Sequence, residues 1–443
     1  MTRETAVAPP QASTPPHQDL QSQQAWKFLS KVLTSPNADH QLWWDALAPV
    51  FGSSMAITGY SIAAQYQHLL KIHAAIIPSL GPFPKGAARK NITWPSTFGP
   101  GPLEASVNYQ QNNTTLYRFT IEPTGPYAGT DADPLNELAP RHLLHHLRHL
   151  QPGLDISAYS ALRPLLGING DEGRRHWEAL RAVPHKSHTA VALDLQRDPC
   201  SSFNVKIYLP PLLRATALGT DVVSLMFDSL REYRATTGST VDFALVEDFM
   251  VENRTRMLTD KSYVSFDCKD PRRSRMKIYT EAIVTSLPEV HAFWTLGGRL
   301  VGSGGAGPQS DKGFELVAKV WEALFRVPLP DGRRRESMHI QVNWEMSPAE
   351  PGALVPKIYF TVIEDYDRYV SEVVVRLFKD LGWTDHIQTQ KRIEQEAYPL
   401  CFSNPKSTHC YMWIAIAYTT KSGPYVTVYT DPSAEMLEAQ RHS

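Results

Sequence analysis

Several features that assign proteins to a class are absent from this sequence. The 44 lysines and arginines nearly balance the 45 aspartates and glutamates, so no basic field indicates nucleic-acid or membrane binding. No apolar run reaches the roughly 18 residues that a membrane-spanning helix needs. The 4 cysteines are far apart and form no Cys-x-x-Cys pair, which favours reduced thiols. From these absences we expect a cytoplasmic protein that binds neither nucleic acid nor a membrane.

Motifs for metal and nucleotide binding are missing as well. Residues 141–149 are rich in histidine, but on a helix these histidines spread over several faces and have no acidic or cysteine partner at metal-ligand spacing. Residues 297–307 are rich in glycine but lack the Gly-Lys-Ser/Thr of a P-loop, so we interpret them as a mobile loop. The acidic stretch 364–367 has the wrong spacing for an aspartate-rich magnesium site. We therefore expect no metal, and protein cations would have to neutralise any polyanionic ligand.

The sequence does contain a repeated tripeptide, Lys-Ile-Tyr, at residues 206–208, 277–279 and 357–359. In a strand, residues i and i+2 point to the same face, so each copy places an ammonium group beside a phenol ring. Arg275 adds a cation to the face of the second copy. Strands of this kind around one interior would form a cationic chamber with aromatic walls, which suits a polyanion attached to an incipient carbocation.

Helical and hairpin patterns alternate along the chain. Helical periodicity dominates residues 25–80. Strand pairs with turn residues between them are predicted at 105–122, 189–209, 263–283, 337–363 and 411–430. A unit that recurs about five times indicates one architecture rather than independent domains. Because hairpins imply antiparallel pairing, we predict an α+β fold in which a closed antiparallel barrel is surrounded by helices.

The domain limits follow from the same patterns. Residues 1–24 are polar and proline-rich without the apolar core of a signal peptide, so we expect a disordered tail. We assign residues 25–432 to a single barrel domain and residues 433–443 to a C-terminal tail.

Candidate binding residues fall on the predicted hairpins. The cations that would bind phosphate oxygens are Arg118, Lys206, Arg275, Lys277 and Lys357. The alternative is that they are barrel residues paired with acids, but three identical tripeptides at corresponding positions favour a binding function. The tyrosines that would contact phosphate and shield an allylic cation from water are Tyr208, Tyr279, Tyr359 and Tyr429. These rings would equally suit packing of the barrel.

Glu104 stands at the predicted start of a strand, after a turn-rich loop. A carboxylate there would accept a hydrogen bond from an N–H or O–H of an aromatic acceptor and take up its proton. An isolated glutamate at such a position is most often a solvated surface residue, so its assignment depends on its context.

That context comes from five stretches distributed along the chain. They are Pro-Ser-Leu-Gly-Pro at 78–82, Pro-Leu-Glu at 102–104, Gly-Pro-Tyr-Ala-Gly-Thr at 125–130 with Asp-Pro-Leu-Asn at 133–136, Ser-Arg-Met-Lys-Ile-Tyr at 274–279, and Phe-Trp-Thr-Leu-Gly-Gly at 293–298. With them the chain resembles, from about residue 25 to 432, the fungal aromatic prenyltransferases of the dimethylallyltryptophan synthase type. The resemblance implies a ten-stranded antiparallel barrel of ααββ units, the ABBA barrel. It also implies transfer of a dimethylallyl group from its diphosphate to an aromatic ring, without metal or another cofactor.

The resemblance also implies roles for individual residues. Glu104 matches the carboxylate that binds the indole N–H. The diphosphate cations of the family match Arg118, Lys206, Arg275 and Lys277, and its tyrosine shield matches Tyr208, Tyr279, Tyr359 and Tyr429. Lys357 stands where the family often has a polar side chain such as glutamine.

Most departures from the family pattern concern the acceptor. Ala190 stands at the position of the catalytic lysine of tryptophan-specific members, and Pro210 replaces a tyrosine. The arginine that would hold a free carboxylate falls near Ser262 and is missing, and a diphosphate cation is replaced by Thr419, with Lys421 nearby. We therefore favour an indole acceptor without a free carboxylate, such as a tryptophan-containing cyclic dipeptide or another indole alkaloid of secondary metabolism.

Two alternatives remain open at this point. In the first, the acceptor is phenolic or a polyketide, since Glu104 would equally deprotonate a phenol. In the second, the barrel binds an anionic ligand without catalysis. The sequence does not fix the attacked atom, regular or reverse attachment, the use of longer prenyl donors, or whether the protein is a monomer or a homodimer.

Overall fold

The computed structural model describes residues 24–84, 94, 96–98, 101–198, 200–300, 307–419 and 421–442. The predicted tail at 1–24, except for its last residue, and most of the glycine-rich stretch at 297–307 lie outside these residues. None of the described helices is both long and apolar enough to cross a membrane.

The strands pair as a closed antiparallel barrel. They are β1 Leu103–Gln110, β2 Thr115–Ile121, β3 Ala190–Leu195, β4 Phe203–Leu209, β5 Leu258–Asp267, β6 Met276–Val284, β7 Met338–Ser347, β8 Glu350–Thr361, β9 Tyr411–Thr419 and β10 Gly423–Thr430. Each strand pairs with its neighbours in sequence, and β1 pairs with β10 to close the barrel. The predicted ten-stranded antiparallel barrel is therefore confirmed.

Helices precede every hairpin. They are α1 Ala25–Val32, α2 Ala38–Ile57, α3 Ile62–Lys71, α4 Leu138–Leu150, α5 Ser157–Leu166, α6 Gly170–Arg175, α7 Trp177–Leu180, α8 Leu212–Leu218, α9 Val222–Thr237, α10 Ala244–Glu252, α11 Leu287–Trp294, α12 Gly307–Trp321, α13 Asp367–Asp380, α14 Thr384–Glu396, α15 Pro399–Ser403 and α16 Ala434–His442. Single π-helical turns follow α3 and α12, at Ile72–Ile76 and Glu322–Arg326. Short helices such as α5, α8 and α15 were not predicted, because 10 or fewer residues give few periodic positions.

Local signals explain where several elements begin and end. The side chain of Asn37 accepts hydrogen bonds from the backbone N–H groups of Asp39 and His40, which fixes the start of α2. Asn112 and Asn113 adopt positive φ in the β1–β2 turn, a conformation that asparagine tolerates well. At the other end of the chain, α16 lies within residues 433–443, which the sequence analysis had treated as a tail, and its Ala434 is buried.

The hydrophobic core lies between the outer face of the barrel and the helices. Phe119 of β2 stacks on Phe51 of α2, with ring centroids 5.1 Å apart. On the opposite wall, the indole N–H of Trp344 on β7 donates to the carbonyl of Phe293 at 3.1 Å. Because side chains alternate along a strand, this apolar outer face leaves every second residue to line the lumen.

The two ends of the barrel differ. At one end, which we call the hairpin end, short connections join β1 to β2, β3 to β4, β5 to β6, β7 to β8 and β9 to β10. At the other, the helix end, odd strands begin, even strands finish, and the helical segments connect one hairpin to the next. Glu104 at the start of β1 therefore lies near the helix end, and Arg275 just before β6 lies at the hairpin end.

Candidate active site

The structure brings the five predicted cations together in the lumen, where three of them pair with acids. Lys206 donates to Asp194 in a buried ion pair, with side chains only 7% and 8% exposed. Lys277 lies 2.9 Å from Glu345. Arg275 contacts Asp267 at 2.8 Å and Glu345 at 3.0 Å. These three cations are therefore paired with acids, as the alternative interpretation of the sequence predicted. The acids line the same lumen as the cations.

The other two cations, Arg118 and Lys357, converge on one hydroxyl group. Arg118 Nη2 and Lys357 Nζ each donate to Oγ1 of Thr427 at 3.0 Å. Arg118 Nε also donates to Ser106 Oγ at 3.0 Å. Within the described part of the chain neither cation has a carboxylate in ion-pair contact. The lumen therefore holds positive charge that no protein acid neutralises.

The surroundings set the protonation of these groups. Burial lowers the pKa of Lys206 to about 8, although Asp194 acts in the opposite direction. Burial also lowers the pKa of Lys357 well below its usual value, and the charges of Arg118, Lys277 and Lys206 add to this effect. Burial alone would raise the pKa of Asp194, but Lys206 and Arg118 bring it down to about 2. An anion that enters the lumen would stabilise the charged lysines.

A layer of tyrosine rings lies next to the cations, on the side of the helix end. Tyr279 stands between Tyr208 and Tyr359, with ring centroids 5.9 and 6.2 Å away, and Tyr429 is 5.7 Å from Tyr359. The predicted tyrosines are thus brought together as one group. Tyr263, which the sequence analysis missed, stacks on Tyr279 at 4.5 Å.

Tyr425 was missed as well. Its ring lies 6.0 Å from the guanidinium of Arg118 and 5.1 Å from the ammonium of Lys357, and its hydroxyl accepts from Arg118 at 3.3 Å. Strand alternation from Tyr429 through Thr427 to Tyr425 was the available signal, because all three residues fall on one face of β10.

Glu104 lies on the lumen face of β1, two residues before Ser106. Burial raises the pKa of its carboxyl group to about 7, and a hydrogen bond with Thr120 and the charge of Arg118 offset only part of that effect. Its position on the lumen face near the helix end and its pKa near neutrality allow it to accept a hydrogen bond or a proton from a ring N–H or O–H.

The positions that depart from the family pattern are also visible. Ala190 faces the lumen opposite Tyr208 and offers no polar group. Ser262 donates to Thr280 Oγ1 at 3.0 Å, and its neighbour Tyr263 takes the lumen position on β5. Lys421 is exposed in the β9–β10 turn. The acceptor side of the lumen therefore has no arginine at these positions for a free carboxylate.

Motifs that the sequence analysis discounted are placed elsewhere. The exposed pair His145 and His149 has its Nε2 atoms 2.9 Å apart on α4. Asp365 pairs with Arg335, and Asp367 accepts backbone N–H groups at the start of β9. Across the described ranges no group of three or more His, Cys, Asp or Glu residues is arranged to hold a metal ion.

This fold and site define a class of protein. It is a closed barrel whose lumen offers cations near the hairpin end, aromatic rings in the middle and a carboxyl group near the helix end. The family profile described as tryptophan dimethylallyltransferase matches residues 39–392. The chain belongs to this family and is a prenyltransferase.

Relatives and solved structures agree with this assignment. The chain is 31% identical over 430 residues to echinulin prenyltransferase 1 of Aspergillus ruber, covering 90% of this chain and 96% of that protein. It is 29% identical over 427 residues to tryptophan dimethylallyltransferase 2 of Epichloe coenophiala, covering 92% of each. The structure of NotF with brevianamide F and DMSPP matches with a TM-score of 0.79 and 26% identity, over 92% of this chain and 98% of NotF. AnaPT from Neosartorya fischeri matches with a TM-score of 0.80 and 25% identity, over 93% and 98%.

Proposed function

We propose that this prenyltransferase moves a dimethylallyl group from dimethylallyl diphosphate to an indole acceptor without a free carboxylate, such as a tryptophan-containing cyclic dipeptide. The observation that carries the proposal is the convergence of Arg118 and Lys357 on Thr427 beneath the tyrosine rings. These two cations have no acid in ion-pair contact among the described residues, and aromatic rings lie on their helix-end side. The arrangement fits a diphosphate whose organic part points toward the helix end.

The donor is held by charge. Its diphosphate binds to the lumen cations, which are Arg118, Lys206, Arg275, Lys277 and Lys357. The acids Asp194 and Glu345 keep Lys206 and Lys277 in place before the donor arrives. Because the cations outnumber the acids that they contact, the lumen remains positive until the diphosphate enters. Protein cations of this kind neutralise a diphosphate without a metal, so we propose metal-independent catalysis.

Ionisation of the donor follows from the same arrangement. The C–O bond to the diphosphate breaks with its electron pair on the leaving oxygen, and the new negative charge meets the preorganised cations. The π faces of Tyr208, Tyr279, Tyr359 and Tyr429 stabilise the allylic cation and exclude water from it. A nucleophilic ring atom of the acceptor then forms the new bond, and the cationic adduct loses its proton to the Glu104 carboxylate to restore the aromatic ring.

Glu104 orients the acceptor. Its carboxylate accepts a hydrogen bond from the indole N–H, which raises the electron density of the ring as the cation approaches. The choice of a cyclic dipeptide is supported by NotF, whose structure contains brevianamide F, and by Ser262 near the position of the arginine that would hold a free carboxylate. The relative of Epichloe coenophiala is named for tryptophan itself, so the acceptor has to be tested directly.

The test is a mass-spectrometric assay with dimethylallyl diphosphate and excess EDTA. The panel contains free tryptophan, cyclic tryptophan dipeptides and phenolic polyketides. We expect one added dimethylallyl unit on the cyclic dipeptides and none on tryptophan. Exclusive prenylation of phenolic compounds would keep the reaction and overturn the acceptor class. Absence of product from every acceptor, with no binding of the donor, would contradict the enzyme assignment for this barrel.

A further inference from the structure

Three polar side chains near the helix end have no role in the reaction described above. Glu281 lies on the lumen face of β6, two residues before Ile283, and His339 and Gln341 lie beside it on β7. His339 Nε2 is 2.8 Å from Glu281 Oε2, and Gln341 Nε2 donates to Glu281 Oε1 at 3.1 Å. We call Glu281, His339 and Gln341 the rim cluster.

The rim cluster and Glu104 border the same part of the lumen. Burial raises the pKa of Tyr263, and the nearby charges of Glu281 and Glu104 both add to that rise. Going the other way round the wall, the ring of His339 is 5.9 Å from Trp413, and Trp413 pairs with Tyr429 in the β9–β10 ladder. An acceptor whose indole lies at Glu104 therefore extends toward the rim cluster on the opposite wall.

The hydrogen-bond inventory of the cluster shows what it can still bind. An ionised carboxylate only accepts hydrogen bonds, so Glu281 requires N–H groups from both partners and fixes their orientation. His339 contacts Glu281 through Nε2, which leaves its Nδ1. In Gln341 the contact with Glu281 leaves the carbonyl Oε1 and one N–H. These remaining groups have no protein hydrogen-bond partner among the residues that the structure describes. The carboxamide of Gln341 therefore presents a donor and an acceptor side by side.

We propose that the rim cluster is a subsite for the amide groups of the acceptor, with Gln341 as the residue that reads a cis amide. The N–H and C=O of a lactam lie on one edge, and this edge is complementary to the free donor and acceptor of a carboxamide. Glu281 acts as a positioning residue, because it accepts a hydrogen bond from Gln341 Nε2 and so fixes the carboxamide. His339 acts as a positioning residue for Glu281, which it contacts through Nε2. The inference rests on the proposed function and extends it to the non-indole half of the acceptor.

The surroundings of the cluster fit the rest of such an acceptor. Ile283 pairs with His339 in the ladder and is 59% exposed, and the side chain of His339 is 37% exposed. Glu281 has no lysine or arginine in ion-pair contact within the described residues, so the cluster is not a buried ion pair of the barrel wall. A cis-amide ring against Gln341 would place its second substituent beside Ile283 at the mouth of the lumen.

The test compares two acceptors that differ in one group. One is a tryptophan-containing cyclic dipeptide, and the other is the same compound with its lactam nitrogens methylated. Both keep the indole for Glu104. For the wild type we expect kcat/KM to be about tenfold lower with the methylated compound, mainly through KM, because one hydrogen bond remote from the reacting atoms is lost. In Gln341→Leu the ratio of kcat/KM for the unmethylated compound to kcat/KM for the methylated one should fall close to one.

Controls separate a specific effect from a structural one. Gln388→Leu changes an exposed glutamine on α14 and should keep the wild-type ratio. Glu281→Gln frees the carboxamide of Gln341 to rotate. It should reduce the same ratio, with a smaller loss of kcat than Gln341→Leu. A wild-type ratio retained in Gln341→Leu would overturn the inference and leave the proposed function intact. Absence of product from the wild type with both compounds would overturn the proposed acceptor and the inference with it.

Discussion

Arg118 and Lys357 share a single acceptor, the hydroxyl oxygen of Thr427, at 3.0 Å each. This geometry holds two basic groups within about 6 Å of each other in a buried site, where the charge of Arg118 helps to lower the pKa of Lys357. Neither is neutralised by a carboxylate within the described residues. The arrangement costs stability in the empty protein and becomes favourable once an anion lies between the two groups. Such a site stabilises a departing diphosphate more than it stabilises a neutral ligand.

Lys357→Met should therefore separate stability from function. We expect the free energy of unfolding to rise by about 1 to 2 kcal/mol, since a buried amine without an acid partner is replaced by an apolar side chain of similar length. The KM for dimethylallyl diphosphate should increase by roughly tenfold or more, because a charged contact to the phosphate is lost. Denaturant unfolding and initial rates measure the two quantities. Lys277→Met is the matched control. Since it leaves Glu345 with Arg275 as its remaining partner, it should lower stability and donor affinity together.

Asp194→Asn should make donor binding depend on pH. Burial already lowers the pKa of Lys206 to about 8 in the presence of Asp194, so loss of the carboxylate should lower it further. Lys206 would then be neutral in the empty variant near pH 8, and the donor would have to bind together with a proton. Calorimetry in buffers of different ionisation enthalpy measures that proton uptake. Equal proton uptake in wild type and variant would contradict the role given to Asp194.

Stability should respond in the same variant. Breaking a buried pair from one side should lower the free energy of unfolding by about 3 kcal/mol. The double variant Asp194→Asn, Lys206→Met should recover part of that loss without recovering donor affinity. The wild-type pair also has a defined pH range. Because the pKa of Asp194 is lowered to about 2, its contribution is present above the unfolded value and is lost as the pH falls through the folded value.

The sequence was sufficient for the parts of the site that repeat. Each Lys-Ile-Tyr copy carries its own geometry, because alternation along one strand places the lysine and the tyrosine on one face. Thr427 was not predictable in this way. Its importance arises from closure of the barrel, which pairs β1 with β10 and brings Arg118 to a residue 309 positions away. A threonine in a strand gives no signal of such a role.

The acceptor side was harder to predict for a related reason. The pairing of β5 with β6 shifts register between Leu258 and Tyr263. An irregularity of this kind changes which residues face inward, so Tyr263 takes the lumen position while Ser262 bonds to Thr280. The rim cluster was missed because Glu281 and His339 are 58 positions apart and meet only through the β6–β7 ladder. Long-range register, rather than local propensity, decides these contacts.

Removal of divalent metals should leave the reaction unchanged. The proposed site neutralises the diphosphate with lysine and arginine side chains, which EDTA does not affect. We expect the same initial rate before and after dialysis against the chelator, with saturating donor and acceptor. A loss of activity that magnesium restores would show that the lumen cations are insufficient and that the donor enters as a metal complex.

Glu104→Gln should lose most turnover and keep donor binding. Glutamine has nearly the shape of glutamate but accepts a hydrogen bond less strongly and cannot take up a proton. General-base effects of this kind are worth about 10²- to 10⁴-fold, so we expect a loss of kcat in that range. The affinity for the donor, measured by calorimetry without acceptor, should stay close to that of the wild type, because among the described residues Glu104 forms no ion pair with the lumen cations. Unchanged turnover would remove Glu104 from the mechanism.

The pH profile provides an independent test of the same group. Burial raises the pKa of Glu104 to about 7, so its carboxyl group is mostly protonated below that pH and mostly ionised above it. The ionised form is the one that accepts the indole N–H, and kcat/KM for the acceptor should therefore increase as the pH rises through about 7. The stability effect has the opposite sign. Since the folded protein holds this proton more tightly than the unfolded chain, ionisation of Glu104 costs stability as the pH rises from the unfolded pKa to the folded one. In Glu104→Gln the limb near pH 7 should disappear from both the rate profile and the stability profile. If the limb persisted in the variant, another titrating group would have to control the acceptor.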